Sequence, residues 1–138
     1  MDEIILISQP TNISALKIIA EKRFGDMVKA VVDIEKGIMA IGGGLHADEE
    51  ALLLEQGSLH GNLWGINIYP DLPFPDLVEF DSMINIRPRQ NNRSRAVEDE
   101  QIRNKILDIV KKFSMYIEIF SNFIHIYRNI FNLKLRFL

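Results

Sequence analysis

The sequence predicts a single α+β domain with a four- to five-stranded, mainly antiparallel sheet and helices packed on it. Short apolar runs alternate with segments of helical spacing in the order β-α-β-β-α-β-β-α. Turn residues, not long crossovers, join most of the predicted strands, which favours antiparallel pairing with the helices on one side of the sheet. The length of 138 residues also corresponds to one domain.

The first half of the chain is predicted to form three strands and two helices. A short strand covers residues 4–7, and a helix follows over about 11–23, where apolar side chains recur at helical spacing until a glycine. Val28–Ile34 and Gly37–Ile41 are apolar runs joined by a tight turn, which predicts a hairpin. Three glycines then allow a tight turn into a second helix, predicted over 47–56.

The second half is predicted to contain a second strand pair and a helix. The alternating run Leu63–Tyr69 ends at a proline, and the run Leu77–Ile86 is bounded by prolines on both sides. A helix over 98–112 follows, because its apolar residues are three and four positions apart. The predicted core contains Leu16, Ile19, Val32, Ile34, Leu53, Ile66, Ile68, Ile84, Ile86, Ile102, Ile106 and Ile109.

Composition and charge exclude several classes of protein. The chain has no cysteine, which rules out disulfide frameworks, thiol nucleophiles and thiolate metal sites. Its acidic start lacks the positive charge of a secretory signal, and no apolar stretch is long enough to span a membrane. The net charge of -3 gives no general attraction for nucleic acid. We therefore expect a cytoplasmic protein with no membrane span, no cofactor and no nucleic-acid partner.

A short basic segment is the best candidate for binding an anion. The region 26–81 is strongly acidic, whereas four arginines and no acid lie between Arg87 and Arg95. Guanidinium groups match phosphate and carboxylate geometry, and a hydroxyl could add a donor. The alternative is an exposed loop whose arginines pair with the acidic region, so any binding is expected to be weak. The anion-binding candidates are Arg87, Arg89, Arg93 and Ser94.

His46 is the centre of a second polar segment. In a helix that starts near it, His46 and Glu50 share one face, a spacing that can seat a divalent metal. The alternative is that His46 and Asp48 cap the helix while the neighbouring acids face water and complement its dipole. Because no second histidine lies at ligand spacing and His60 is predicted in a turn, we expect no metal.

Two pairs of carboxylates are candidates for acid and base catalysis. Asp33 and Glu35, like Glu79 and Asp81, are two residues apart and would share one face of a strand. Acids at strand ends are more often simply solvated. The catalytic candidates are His46, Asp48, Asp33 and Glu35.

The C-terminal segment differs in composition from the rest of the chain. We divide the sequence into a domain at 1–112 and an apolar, aromatic-rich extension at 113–138, predicted to be helical. In one interpretation the extension continues the last helix with a heptad-like apolar stripe and packs against a second copy, giving a homo-oligomer. In the other, it is an aberrant terminus without a selected function.

Five sequence blocks stand out along the chain, namely VVDIEKG at 31–37, GGGLHAD at 42–48, LWGINIYP at 63–70, NIRP at 85–88 and NRS at 92–94. Together these blocks resemble a family of small uncharacterised prokaryotic proteins that is frequent in cyanobacteria. The resemblance covers about residues 4–112 and implies no function. Gly44 and the pair Asn91-Asn92 depart from the family pattern. Family members generally end near the last helix, which favours an aberrant origin for the extension.

The sequence favours a non-enzymatic binding or protein-interaction module. Its polar surface would be the arginine loop at 87–95 beside the turn at 42–50. The alternative is a small hydrolase that uses His46 with nearby carboxylates, with or without a metal. An enzyme of this kind should place His46, Asp48 and a strand carboxylate in one concave pocket.

Overall fold

The structure of the protein, a computed structural model, describes residues 3–9, 13–113, 126, 129 and 130. Its elements follow the predicted order, so the α+β class is confirmed. Three short 3-10 turns lie in the connections, at His60–Asn62, Met83–Asn85 and Pro88–Gln90. The elements are β1 (Ile5–Ile7), α1 (Ile13–Arg23), β2 (Val28–Asp33), β3 (Ile38–Ile41), α2 (His46–Glu55), β4 (Leu63–Ile68), β5 (Val78–Glu79) and α3 (100–113).

The five strands form one antiparallel sheet in the order β1-β3-β2-β4-β5. The predicted hairpin is present, with Asp33 opposite Ile38 at its closed end. On its other side β2 pairs along its whole length with β4, from Val28 opposite Ile68 to Asp33 opposite Leu63. Strand β2 is thus the centre of the sheet, which explains its nearly continuous run of apolar residues.

Helices cover both faces of the sheet, so the prediction that they lie on one side is wrong. Alternation along β2 directs Ala30 toward the main core, which also contains residues of α1 and α3. It directs Val31 to the opposite face, where Leu53 of α2 packs against it. The chain changes face through Gly42, whose φ of +89° is left-handed and whose added Cβ would lie 3.2 Å from the Glu3 carbonyl oxygen.

The predicted strand over 77–86 is wrong for most of its length, because only Val78–Glu79 pairs with β4. Beyond that point the chain crosses the face of β4. A Cβ on Gly65 would lie 2.5 Å from the Cβ of Ser82, so the two backbones approach as closely as a glycine allows. This crossing brings the arginine loop against the start of β4.

The predicted core is largely confirmed, since all of its members except Ile86 are buried or half-buried. Ile86 is 40% exposed because it follows the 3-10 turn at Met83–Asn85, where strand alternation no longer applies. Trp64 and Met39 are among the largest fully buried side chains, and both belong to the main core.

The C-terminal extension lies mostly outside the described residues. Phe113, which the sequence assigned to the extension, is the last residue of the described part of α3 and is buried in the main core. Ile126 and Ile130 are helical and more than half exposed. The continuous helix through the extension and the self-association of the protein through it both stay predictions. None of the helices in the described part of the chain combines the length and apolar character that crossing a membrane requires.

Candidate functional site

The side chain of Arg87 is buried and organises the arginine loop. Its Nε donates to the Ile84 carbonyl at 3.0 Å, and Nη1 donates to the His60 carbonyl at 3.1 Å and to Gln90 Oε1 at 3.3 Å. Nη2 donates to the carbonyl of Leu63. The guanidinium also lies 4.8 Å from the centroid of the Trp64 ring. Nη1 and Nη2 therefore join the loop to the residues at the start of β4, while Nε holds it to the preceding 3-10 turn.

Glu50 of α2 balances the charge of this buried arginine. Its Oε2 lies 3.5 Å from Arg87 Nη2 and 3.7 Å from His60 Nε2. Burial lowers the pKa of Arg87, and the Glu50 carboxylate acts in the opposite direction. Arg87 and Glu50 thus form a compensated ion pair behind the loop.

An open pocket of about 460 Å³ lies against this ion pair. We call it the arginine pocket. Among its lining residues, Arg87 and Gln90 are fixed by hydrogen bonds, since Gln90 Nε2 also donates to the Gly61 carbonyl at 3.1 Å. Arg89 is exposed, and the His60 side chain is 59% exposed. The pocket is lined by His60, Arg87, Pro88, Arg89 and Gln90.

A buried asparagine, Asn92, holds the loop that carries the pocket wall. Asn92 donates through Nδ2 to the carbonyls of Asn85 at 2.6 Å and Ala96 at 2.7 Å, and its Oδ1 accepts from the Glu98 amide at 2.8 Å. The backbones of Arg87 and Asn92 exchange two hydrogen bonds of 2.6 and 3.1 Å. The segment is therefore held more firmly than a simple exposed loop. Two of its arginines nevertheless pair with acids of the region 26–81, Arg87 with Glu50 and Arg95 with Asp81, as the alternative interpretation expected.

The four anion-binding candidates lie in different settings. Arg87 is buried and Arg89 is exposed, and both line the arginine pocket. Arg93 is exposed, with its amide donating to Glu98 Oε2 at 3.1 Å. Ser94 is exposed, and its Oγ accepts from the Ala96 amide at 3.3 Å. The structure thus brings two of the four candidates together at one concave surface.

His46 lies at the start of α2, as predicted, but it does not cap the helix. The N-cap residue is Leu45, and no side chain caps this end. His46 is 8% exposed, and its Nε2 lies 2.8 Å from the Ile66 carbonyl oxygen. Since a carbonyl only accepts, Nε2 carries the proton. Burial lowers the pKa of His46, with the Ile66 carbonyl opposing this effect, so the ring is neutral at physiological pH.

The acids near His46 differ from one another in exposure. Asp48 is exposed, as the sequence predicts, but Glu49 is completely buried. Its Oε2 accepts from the Gly43 amide at 3.1 Å, while Oε1 has no partner within the described residues. Burial raises the pKa of Glu49 to about 9, so the carboxyl is protonated at neutral pH. The expectation that these acids all face water is wrong for Glu49.

The spacing that suggested a metal at His46 does not bring a ligand set together. Glu50, four residues later, contacts Arg87 and His60 and forms the compensated ion pair. Within the described ranges, no cluster of three or more histidine, aspartate or glutamate side chains is placed to hold a metal ion.

Asp33 and Glu35 do not share a strand face. Asp33 is 1% exposed at the end of β2, and its Oδ1 accepts from the amides of Glu35 and Lys36 at 3.0 and 2.9 Å. Its Oδ2 accepts from Ser58 Oγ at 2.6 Å. Glu35 is exposed in the turn that follows. Asp33 therefore closes the β2–β3 turn and fixes the segment after α2.

Asp33 also lies away from His46. The carbonyl that His46 contacts belongs to Ile66, which pairs with Ala30, three residues before Asp33 on β2. Three strand residues correspond to about 10 Å. His46 and Asp33 are thus at different positions along the sheet.

The second carboxylate pair takes part in two separate interactions. Glu79 Oε1 accepts from Asn67 Nδ2 at 2.8 Å. Asp81 pairs with Arg95 through a 2.6 Å contact to Nε. Asn67 Oδ1 is buried with no partner within the described part of the chain. Neither acid of this pair lines the arginine pocket.

Sequence reasoning missed three pocket residues, namely His60, Pro88 and Gln90. His60 was correctly placed in a turn but not connected with the arginine loop. Gln90 lies between two arginines in the sequence, which marks it as part of the same polar segment. No sequence signal places residues 60 and 90 together, because their proximity depends on the crossing over Gly65.

Comparison with known proteins identifies a family that matches most of the chain. The family model described as "Protein of unknown function (DUF5674)" matches residues 5–113. No curated protein and no solved structure matches the chain.

Proposed function

Given that the chain belongs to the DUF5674 family, whose match includes every residue of the arginine pocket, we propose that this protein is a non-enzymatic binding module. The ligand site is the arginine pocket. The observation that carries the proposal is that this open concave surface has a wall fixed before any ligand arrives, through Arg87 and its three carbonyl partners. Preorganised walls reduce the entropy lost on binding.

The composition of the pocket supports binding of an anionic group. Arg89 and His60 present exposed polar groups at the pocket, while Pro88 contributes apolar surface. Binding sites commonly combine an apolar lining with a few fixed polar groups. Arg87 contributes by supporting the wall, since its own donors are taken by backbone carbonyls.

The hydrolase alternative has less support from the described geometry. His46 is buried with one ring nitrogen on a backbone carbonyl, and Asp33 is held by the turn that it closes. A pocket that contains His46, Asp48 and a strand carboxylate was the expected mark of an enzyme. The arginine pocket contains none of these residues.

The proposal is tested by mapping small organic fragments on the full chain with amide-resolved NMR. Fragments should shift the amides of His60, Gly61, Arg89 and Gln90 first. Gly61→Phe directs a ring toward the Gln90 side chain, which lies 3.4 Å from an added Cβ, and should abolish these shifts. Arg89→Trp, at an exposed position, provides a second way to fill the pocket. Leu72→Phe, at an exposed position outside the pocket, should retain them.

Fragments that bind elsewhere would contradict the proposal. If the fragments leave residues 60–61 and 89–90 unchanged and shift the amides around His46 instead, the pocket is not the ligand site. The same conclusion holds if both pocket-filling variants stay folded and bind fragments as the unmodified chain does.

A further inference from the structure

One of the two arginines that line the arginine pocket has its charge compensated, and the other does not. Arg87 is compensated by Glu50, whose carboxylate lies 3.5 Å from its Nη2. The same carboxylate oxygen lies 3.7 Å from His60 Nε2. Arg89 is exposed, and no acidic side chain of the described residues forms an ion pair with it. The pocket therefore offers one permanent positive charge to a ligand.

The remaining surface of the pocket is mainly apolar. Apolar atoms provide most of the lining, including those of Pro88. Next to the lining residues in the chain, Leu59 is 71% exposed and Ile86 is 40% exposed. A ligand that buries its charged end at Arg89 would thus place its remaining atoms against apolar surface.

We infer that the ligand of the arginine pocket is a monocarboxylate carried on a short apolar body. This inference rests on the proposed function and specifies its ligand class. One uncompensated guanidinium matches the single charge and the two oxygens of a carboxylate. A phosphate monoester carries nearly two negative charges, whereas the pocket has one uncompensated guanidinium, that of Arg89, to balance them. The carboxylate can belong to the C-terminal residue of a peptide or to a free branched acid.

Four probes of similar shape, titrated into the full chain, distinguish a peptide C-terminus, a free branched acid and a phosphate monoester as ligands. N-acetyl-leucine represents a peptide C-terminus, and 4-methylvalerate represents a free branched acid. N-acetyl-leucinamide keeps the apolar body but has no charge, and isopentyl phosphate carries the doubly charged head. We expect at least one carboxylate to bind about fivefold more tightly than the amide, which is the effect of one exposed ionic contact. It should also bind more tightly than the phosphate, whose second charge has no partner in the pocket. The carboxylate that binds more tightly shows whether the natural ligand is a peptide C-terminus or a free branched acid.

Matched variants locate the charge that matters. Arg89→Ala should weaken carboxylate binding about fivefold while leaving the affinity for the amide unchanged. Arg93→Ala removes the same charge from the same loop outside the pocket and should have little effect. Thermal unfolding of both variants tests whether they remain folded.

The outcomes distinguish the ligand class from the proposed function. If isopentyl phosphate or the amide binds at residues 60–61 and 89–90 as tightly as both carboxylates, the ligand class is wrong and the binding module stands. If Arg93→Ala weakens carboxylate binding as much as Arg89→Ala, the assignment of the charge to Arg89 is wrong. If fragments bind in the pocket and neither carboxylate does, the inference alone fails.

Discussion

The side-chain amide of Asn85 pairs with the backbone of Gly65 through two hydrogen bonds. The Gly65 amide donates to Asn85 Oδ1 at 2.8 Å, and Asn85 Nδ2 donates to the Gly65 carbonyl at 2.9 Å. The side chain thus takes the place of a neighbouring strand where β5 no longer pairs with β4. This relationship joins the irregular segment after β5 to the sheet and positions the arginine loop.

Asn85→Asp should destabilise the fold strongly. The change replaces the Nδ2 donor by an oxygen that faces the carbonyls of Gly65 and Arg95, and it buries a negative charge. We expect the free energy of unfolding to fall by about 3 kcal/mol or more, measured by urea denaturation. Asn91→Asp is the control, because Asn91 is exposed and aspartate tolerates its left-handed backbone. Equal effects of the two changes would contradict the structural role of Asn85.

Gly65→Ala should destabilise the protein in a way that a second substitution relieves. The new methyl group would lie 2.5 Å from Ser82 Cβ and 2.6 Å from Ser82 Oγ. In the Ser82→Gly background this clash disappears, so the two changes together should cost less than the sum of their separate effects. Gly61→Ala, which meets only the flexible Gln90 side chain at 3.4 Å, serves as the control. Additive effects in the double-mutant cycle would show that the two backbones are farther apart.

Arg87→Lys should be far more costly than Arg89→Lys. A lysine cannot supply the donors that Arg87 gives to the carbonyls of Ile84, His60 and Leu63. We expect a loss of about 3 kcal/mol in the free energy of unfolding. Arg89 is exposed, so the same substitution there should change stability by less than about 0.5 kcal/mol. Chemical denaturation of both variants would reveal a purely superficial role for Arg87 if the two losses were alike.

Glu49 should make the protein less stable as the pH rises. Its pKa is raised from the ordinary value of 4.5 to about 9, so between these values the unfolded chain releases a proton that the folded chain retains. The contribution of Glu49 to the free energy of unfolding is fully present below pH 4.5. It is lost as the pH rises toward 9, with a slope of about 1.4 kcal/mol per pH unit. Urea denaturation between pH 5 and pH 8 measures this slope.

Glu49→Gln isolates the contribution of this carboxyl group. The glutamine is neutral at every pH and can still accept from the Gly43 amide, so the slope due to position 49 should disappear. Glu55→Gln, at an exposed position of the same helix, should leave the slope unchanged. An unaltered slope in the Glu49 variant would mean that this carboxyl is ionised in the folded protein.

Removal of residues 114–138 should prevent self-association without loss of the fold. Phe113 completes the main core, whereas Ile126 and Ile130 are more than half exposed. We expect light scattering to show oligomers for the full chain and a monomer for residues 1–113. A chain ending at Lys112 also loses buried Phe113 and should be less stable by about 3 kcal/mol. An oligomeric chain of residues 1–113 would place the association surface in the domain.

Local patterns in the sequence determined much of the architecture. The spacing of apolar residues in α1 and α3 and the β-branched run of β2 predicted those elements, because periodic burial of side chains follows directly from helix and strand geometry. The turn between β2 and β3 made their antiparallel pairing predictable. These features depend on residues that are close in the sequence.

Only the tertiary structure decided which face each helix covers and where the pocket lies. Helix α2 reaches the second face through the left-handed Gly42, and the chain after β5 crosses Gly65 instead of pairing with β4. His60 and Gln90 meet because of that crossing. Burial likewise distinguishes Glu49, whose carboxyl group is protonated, from its neighbour Asp48, which is exposed. Such contacts join residues far apart in the chain, and their free energy depends on neighbours that no local pattern specifies.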